Sequence, residues 1–157
     1  MIAVIQRVSK ASVTVESRVT GTINQGLVVL LGVEREDTRS QADYILKKII
    51  ELRIFNDDNG RMNRSLNDVN GSLLIISQFT LLADCRKGRR PSFNKAAEPA
   101  VAEELYEYVI AKANEIGVNA QTGIFGAMMD VSLVNDGPVT IMLDSRKFHG
   151  ERLPIVQ

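Results

Sequence analysis

Ser77 and Thr80, three residues apart in Ser77-Gln-Phe-Thr80, are candidate hydroxyl nucleophiles. A hydroxyl attacks well only when a base lies within hydrogen-bond reach. The chain's one histidine, His149, sits near the C-terminus, and nothing in the sequence brings it to either hydroxyl. No strand-turn-helix elbow of the G-x-S-x-G kind is present. Cys85, flanked by Arg86 and Lys87 that could depress its thiol pKa, has no evident base partner and reads as a plain free thiol. Asp84 and Asp144 are each a possible general base or a surface carboxylate. Neither common Gly-rich phosphate loop occurs, and no Cys or His cluster could hold zinc. The sequence therefore implies no metal and no cofactor. Asn56-Asp-Asp-Asn-Gly60 misses the calcium-loop pattern, which would need an acid at Phe55, and reads as a turn. Gly123-Ile-Phe-Gly126 is similar to the loop of RNA-binding KH modules but has no basic residue, so a turn or close packing suits it better. Chemistry built from such residues must rely on positioning and backbone dipoles.

The elements that would position these residues are read from periodicity. Val13 and Val15 alternate with polar neighbours, as in a half-buried strand, and Arg18 to Ile23 is a second such run. A turn at Asn24-Gln-Gly26 leads into Leu27–Leu31, apolar throughout like a central strand covered on both faces. Thr38 and Gln41 form a capping-box pair ahead of a helix carrying Ala42, Ile45, Leu46 and Ile49 on one face. Gly71 opens a strand, Leu73–Ile76, that is expected to continue into Ser77–Leu82. Pro99 suits a first helical position, Val101, Leu105, Tyr108, Val109 and Ile116 share a predicted face, and Gly117 stops the helix. Val131, Leu133 and Asn135 then alternate with Ser132, Val134 and Asp136. Gly137-Pro138 breaks the run, and Val139–Leu143 resumes it. The expectation is an α/β fold: one layered domain spanning 1–157, of mixed or antiparallel sheets with two main helices packed over them.

Composition bounds the function. The 157 residues are 45% apolar and 24% charged, the balance of a soluble globular domain. No apolar run is long enough for a membrane span, and the N-terminus lacks the order of a signal peptide. One cysteine fits a reducing compartment, so a cytoplasmic location is expected. Nineteen Lys and Arg balance nineteen Asp and Glu, which argues against coating nucleic acid through many phosphate contacts. A local grip remains open at Arg86-Lys-Gly-Arg-Arg90, which is either a solvated loop or a contact for one RNA end.

Ser77-Gln-Phe-Thr-Leu-Leu-Ala-Asp84 and Asn135-Asp-Gly-Pro-Val-Thr140 together resemble the two signatures of the D-aminoacyl-tRNA deacylase family. Ile5-Gln-Arg-Val8, Lys87-Gly-Arg-Arg-Pro-Ser-Phe93 and the overall length agree with it, so the resemblance covers essentially the whole chain. It implies a two-fold homodimer that hydrolyses D-aminoacyl-tRNA, with Ser77, Gln78, Phe79 and Thr80 lining the pocket for the aminoacylated acceptor end. Gly137 and Pro138 would be joined by a cis bond and reach into the partner's pocket, where their carbonyl oxygens leave no room for an L side chain. Phe125 and Met129 would contribute to the terminal-adenosine pocket. The 2′-hydroxyl of that adenosine would supply chemistry the protein's side chains do not. Lys87, Arg89 and Arg90 are the candidate tRNA contacts. Read without the resemblance, Asp136-Gly-Pro favours an ordinary trans turn, since few X–Pro bonds are cis. Two other functions stay open on the residues alone: an RNA-end binding module that does no chemistry, and a small-ester or peptide hydrolase using Ser77 or Thr80.

Overall fold

The computed structural model describes residues 1–148. In chain order the elements are β1 (Ile2–Val15), β2 (Arg18–Ile23), β3 (Gly26–Gly32), α1 (Arg39–Glu51), β4 (Phe55–Asn56), β5 (Met62–Arg64), β6 (Ser72–Ser77), α2 (Pro99–Glu115), β7 (Ala120–Thr122) and β8 (Asp130–Asp144). Short 3-10 turns cover Asn67–Val69, Phe79–Leu82 and Ser145–Phe148. Six strands form one mixed sheet in the order β2-β1-β3-β6-β7, with β8 paired to the other side of β1. β1 is antiparallel to β2, β3 and β8, whereas β3, β6 and β7 run parallel. A mixed α/β fold with two main helices is thus observed.

Apolar residues on both faces of the sheet give it two cores. Leu27, Val29 and Leu31 of β3 pack with Ile45 and Ile49 of α1 and Leu105 and Val109 of α2. Val28 points the other way, to a second cluster with Val8, Val13, Leu74 and Ile76. The reading of Leu27–Leu31 as a strand covered on both faces holds for this reason. α1 begins at the Thr38 capping box: the Ser40 amide donates to the Thr38 hydroxyl at 3.3 Å, and the Thr38 amide donates to Gln41 Oε1 at 2.9 Å. Such a cap stabilises a helix by roughly 0.5–2 kcal/mol. Asn56 ends β4, and the rest of the Asn56–Gly60 stretch makes the turn to β5, where Asp57 Oδ1 accepts from the amides of Asn59 and Arg61.

Four expectations need correction. β1 runs back from Val13 to Ile2, because its first half is held between β3 and the far end of β8, partners that local alternation does not report. The strand carrying Leu73–Ile76 stops at Ser77. The Gln78 amide donates to the Leu31 carbonyl at 2.8 Å as β3 ends, and the chain turns into the 3-10 segment Phe79–Leu82. The buried face of α2 is Leu105, Tyr106, Val109 and Ala113. Val101 and Ile116, at its two ends, are 44% and 58% exposed. Tyr106 replaces Tyr108 in the core, and its hydroxyl donates to the Ile75 carbonyl of β6 at 2.8 Å. Finally, β8 continues through Gly137-Pro138, though its pairing with β1 is interrupted there: Gln6 faces Thr140 and Val8 faces Asn135, so four residues bulge opposite Arg7. No helix of the described residues is long and apolar enough to cross a membrane.

Candidate active site

The end of β6, the 3-10 turn after it and the segment between β7 and β8 converge on a cleft of 610 Å³. Parallel pairing of β6 with β7 sets this up, since it delivers the residues after Ile76 and those after Thr122 to the same end of the sheet. Ser77, Gln78, Phe79, Thr80, Phe125 and Met129 all line the cleft. Ala96, Ala97 and Pro99 close another side, with Ala102 of α2 below. Sequence reasoning missed this alanine-rich wall, and unexceptional alanines offered no signal for it. Within the turn, the Gln78 side-chain amide donates to the Thr80 hydroxyl. The ring of Phe79 is 56% exposed at the cleft and meets Phe93 edge-on, with centroids 5.0 Å apart and planes at 69°. Phe125 is anchored from below by Tyr106, 5.8 Å between centroids. The Gly123–Gly126 tetrad has a packing role: the Met129 sulfur lies where a Cβ on Gly123 would be, and Gly126 takes φ +72°.

Among the described residues, sixteen line the cleft and not one has an ionisable side chain. The candidate bases lie elsewhere. Asp84 is gripped by Arg86, whose Nε donates to Oδ1 at 2.9 Å and whose Nη2 is 2.5 Å from Oδ2. These bonds hold its carboxyl well below the usual carboxylate range. Asp144 is held low in the same way by Arg146, with Nε at 2.9 Å and Nη2 at 2.7 Å. A carboxylate so stabilised is a poor proton acceptor near neutral pH, which removes both as general bases. Cys85 is an exposed free thiol. His149 lies outside the described residues. Among the described residues no cluster of three His, Cys, Asp or Glu could hold a metal ion.

Gly137 and Pro138 are exposed and are absent from the cleft of their own chain. The bond between them is cis, and Gly137 has φ +135°. Their bulge is held from behind by Arg7, which is 5% exposed. Its Nε donates to the Asp136 carbonyl at 3.0 Å, and its Nη1 to the Ile54 carbonyl at 2.6 Å. From the front, Asn135 Oδ1 accepts from the Val139 amide at 2.9 Å. Arg7 belongs to the Ile5–Val8 motif, but a lone arginine in a strand gave no hint that it would be buried under a bulge 130 residues away. Lys87, Arg89 and Arg90 are exposed on the loop between Asp84 and Ser92, two residues that pair through reciprocal backbone bonds of 2.7 and 3.0 Å. These three cations do not line the cleft, and among the described residues none of them has an ion-pair partner.

Residues 4–144 match the family model described as D-Tyr-tRNA(Tyr) deacylase. The chain is 58% identical over 147 residues to the D-aminoacyl-tRNA deacylase of Koribacter versatilis (strain Ellin345), covering 94% of this chain and 99% of that one. It is 57% identical over 152 residues to the D-aminoacyl-tRNA deacylase of Thermus aquaticus, covering 97% and 100%. A solved structure described as a c-Myc DNA unwinding element binding protein superposes with a TM-score of 0.87 at 39% identity, over 92% of this chain and 98% of that one. Another, described as a probable eukaryotic D-amino acid tRNA deacylase, shares the fold with a TM-score of 0.74 at 15% identity, over 90% and 97%.

Proposed function

The chain belongs to the D-Tyr-tRNA(Tyr) deacylase family and is a hydrolase of the D-aminoacyl-tRNA deacylase type, and from that premise we propose how its geometry performs and restricts the reaction. The substrate is the ester between a D-amino acid and the 3′-terminal adenosine of tRNA. Water adds to the acyl carbon, the bond to ribose O3′ breaks, and a proton passes to O3′. The observation that carries this reading is a cleft formed by Ser77–Thr80, Phe125 and Met129 in which none of the described lining residues has an ionisable side chain. An ester hydrolase lacking a side-chain base needs its proton carrier from elsewhere, and the adenosine's own 2′-hydroxyl is adjacent to the scissile ester. The protein then contributes orientation and amide dipoles. The amides of Phe79 and Thr80 open a 3-10 turn, have no acceptor within it, and are suited to the developing oxyanion. Phe125 and Met129 offer the adenine an apolar seat. Ser77 and Thr80 are positioning groups rather than nucleophiles.

Selectivity comes from Gly137-Pro138 acting in the partner's cleft, which makes the homodimer the working unit and places the site at its interface. Exclusion by a backbone wedge is supported by the exposure of this pair and by its absence from its own cleft. An L side chain collides with the wedge, a D side chain points away, and glycine has nothing to collide. Glycyl-tRNA is therefore hydrolysed along with the D substrates. The enzyme works in translation quality control in the cytoplasm, and Lys87, Arg89 and Arg90 contact the tRNA. The test compares D-alanyl-, L-alanyl- and glycyl-tRNA under single-turnover conditions. Fast cleavage of the first and last with an inert L substrate is expected. Glycyl-tRNA as inert as L-alanyl-tRNA would sink exclusion while leaving the deacylase activity standing.

A further inference from the structure

We propose that Phe93 is a positioning residue that fixes the ring of Phe79 at the cleft. This inference rests on the deacylase reading of the cleft. The segment carrying Phe93 begins where Asp84 and Ser92 pair and the seven-residue loop between them closes. Phe93 follows directly, half-buried, with its ring edge-on to Phe79. Beyond it the chain is pinned to the end of β3: the Ala96 amide donates to the Phe93 carbonyl at 2.9 Å, the Arg35 amide to the Lys95 carbonyl at 3.1 Å and the Ala97 amide to the Val33 carbonyl at 3.0 Å. Ala96 and Ala97 are themselves part of the cleft wall. One short strap thus carries three exposed cations at one end, a wall of the cleft at the other, and an aromatic contact to the catalytic turn between them.

The contact matters because Phe79 is more than half exposed and, among the described residues, Phe93 is the one ring that meets it. A ring free to turn on its own rotamers presents the substrate with several cleft shapes. An edge-on neighbour 5.0 Å away leaves it one, in the geometry that aromatic pairs prefer. Phosphate contacts at Lys87, Arg89 and Arg90 bind substrate and transition state alike, so they act on KM. The position of Phe79, beside the amides that meet the ester, acts on kcat, since small displacements of reacting groups cost large factors in rate.

Phe93→Ala should lower kcat on D-alanyl-tRNA about 10-fold while changing KM less than about twofold. Phe93→Tyr, which keeps the ring edge, should restore kcat. Phe93→Leu, which keeps the bulk without the ring, should reproduce the loss at an unchanged Tm. A second readout is independent of activity. The chain has no tryptophan, so Phe79→Trp places a single reporter at the cleft. Its fluorescence anisotropy should fall, and its acrylamide quenching rise, when Phe93→Ala is added. Wild-type kcat in both the Ala and Leu variants, or an unchanged reporter, would overturn the proposal, as would a loss that Tyr shares and that follows Tm. A wild-type chain inert on D-alanyl-tRNA would instead overturn the deacylase reading, with the reporter still deciding whether Phe93 holds position 79.

Discussion

Gly137 shows how one residue type can decide whether a bulge exists in the form observed. Its φ of +135° is a conformation that L side chains rarely adopt. A Cβ there would also come within 2.8 Å of the Val139 side chain and 3.1 Å of Arg7 Nη2. An alanine must therefore move the bulge or strain it, at roughly 1–3 kcal/mol for a residue held in a sparsely populated region. Movement is the easier route, because the bulge is exposed and lacks ladder pairing to β1. Gly137→Ala should lower Tm by only a few degrees and reduce single-turnover hydrolysis of D-alanyl-tRNA at least about tenfold, the price of misplacing a positioning element. Thermal unfolding and rate are measured on the same preparation. A variant with wild-type rates on D substrates and unrelaxed rejection of L would remove the bulge from the site. Arg7 contributes at the same scale: its buried guanidinium is satisfied by two carbonyls, Asn56 and Asp136, so it fixes the bulge from a position that never meets substrate.

Among the elements, α2 and the basic loop make separable predictions. The Tyr106 hydroxyl ties α2 to β6, and burial pushes its pKa up to about 12, opposed by a hydrogen bond with Thr122. The folded state thus holds this proton more tightly than the unfolded chain, whose tyrosine titrates near 10. The resulting stabilisation is complete below about pH 10 and is lost as pH rises from there through about 12. Burial raises the Tyr44 hydroxyl too, and the Asp43 carboxylate raises that of Tyr108. Absorbance at 295 nm should accordingly show tyrosine ionisation displaced to higher pH in the folded protein than in the unfolded chain. Tyr106→Phe should cost about 1 kcal/mol at neutral pH, the net worth of the lost bond, and flatten the decline above pH 10. In the loop, Arg89→Ala or Arg90→Ala should weaken tRNA binding and shallow its salt dependence by about one phosphate each, leaving the ratio of D to L rates unchanged. Affinity untouched across a salt series would reduce the loop to solvated surface. These elements differ in how far the sequence revealed them. The start of α1 was legible because Thr38 and Gln41 cap it within four residues. The buried face of α2 was misread because Tyr106 and Tyr108 fit the helical period about equally, and only the Ile75 carbonyl chooses between them. The strand before Val13 and the stop at Ser77 depend on pairing with β3 and β8 and on the Leu31 carbonyl, which local alternation cannot report. Cleft residues Ser77, Gln78, Phe79, Thr80, Phe125 and Met129 could be named from a family resemblance, yet their meeting depends on parallel pairing that no spacing encodes.

At the scale of the molecule, the cleft and the bulge lie on one chain without forming one site, and that separation can be tested by subunit mixing. If Gly137-Pro138 serves the partner's cleft, a chain damaged at the bulge keeps a sound cleft, and a chain damaged at the cleft keeps a sound bulge. Gly137→Ala supplies the first. Gln78→Ala supplies the second, since it removes the amide that donates to Thr80. Each homodimer alone has two defective sites. In a hybrid, the cleft of the Gly137→Ala chain receives the intact bulge of the Gln78→Ala chain, while the other site collects both defects. Random re-association of equal amounts makes about half the dimers hybrid, so about a quarter of wild-type sites should return. Neither variant alone should show that activity, and mixing without dissociation should give none of it. A closed two-fold pair also requires a mass of about twice the 17.3 kDa chain by light scattering at the working concentration. Had each cleft been served by its own bulge, mixing would only average two impaired enzymes. Activity that stays at that average after complete exchange, in dimers verified by mass, would exclude a shared site.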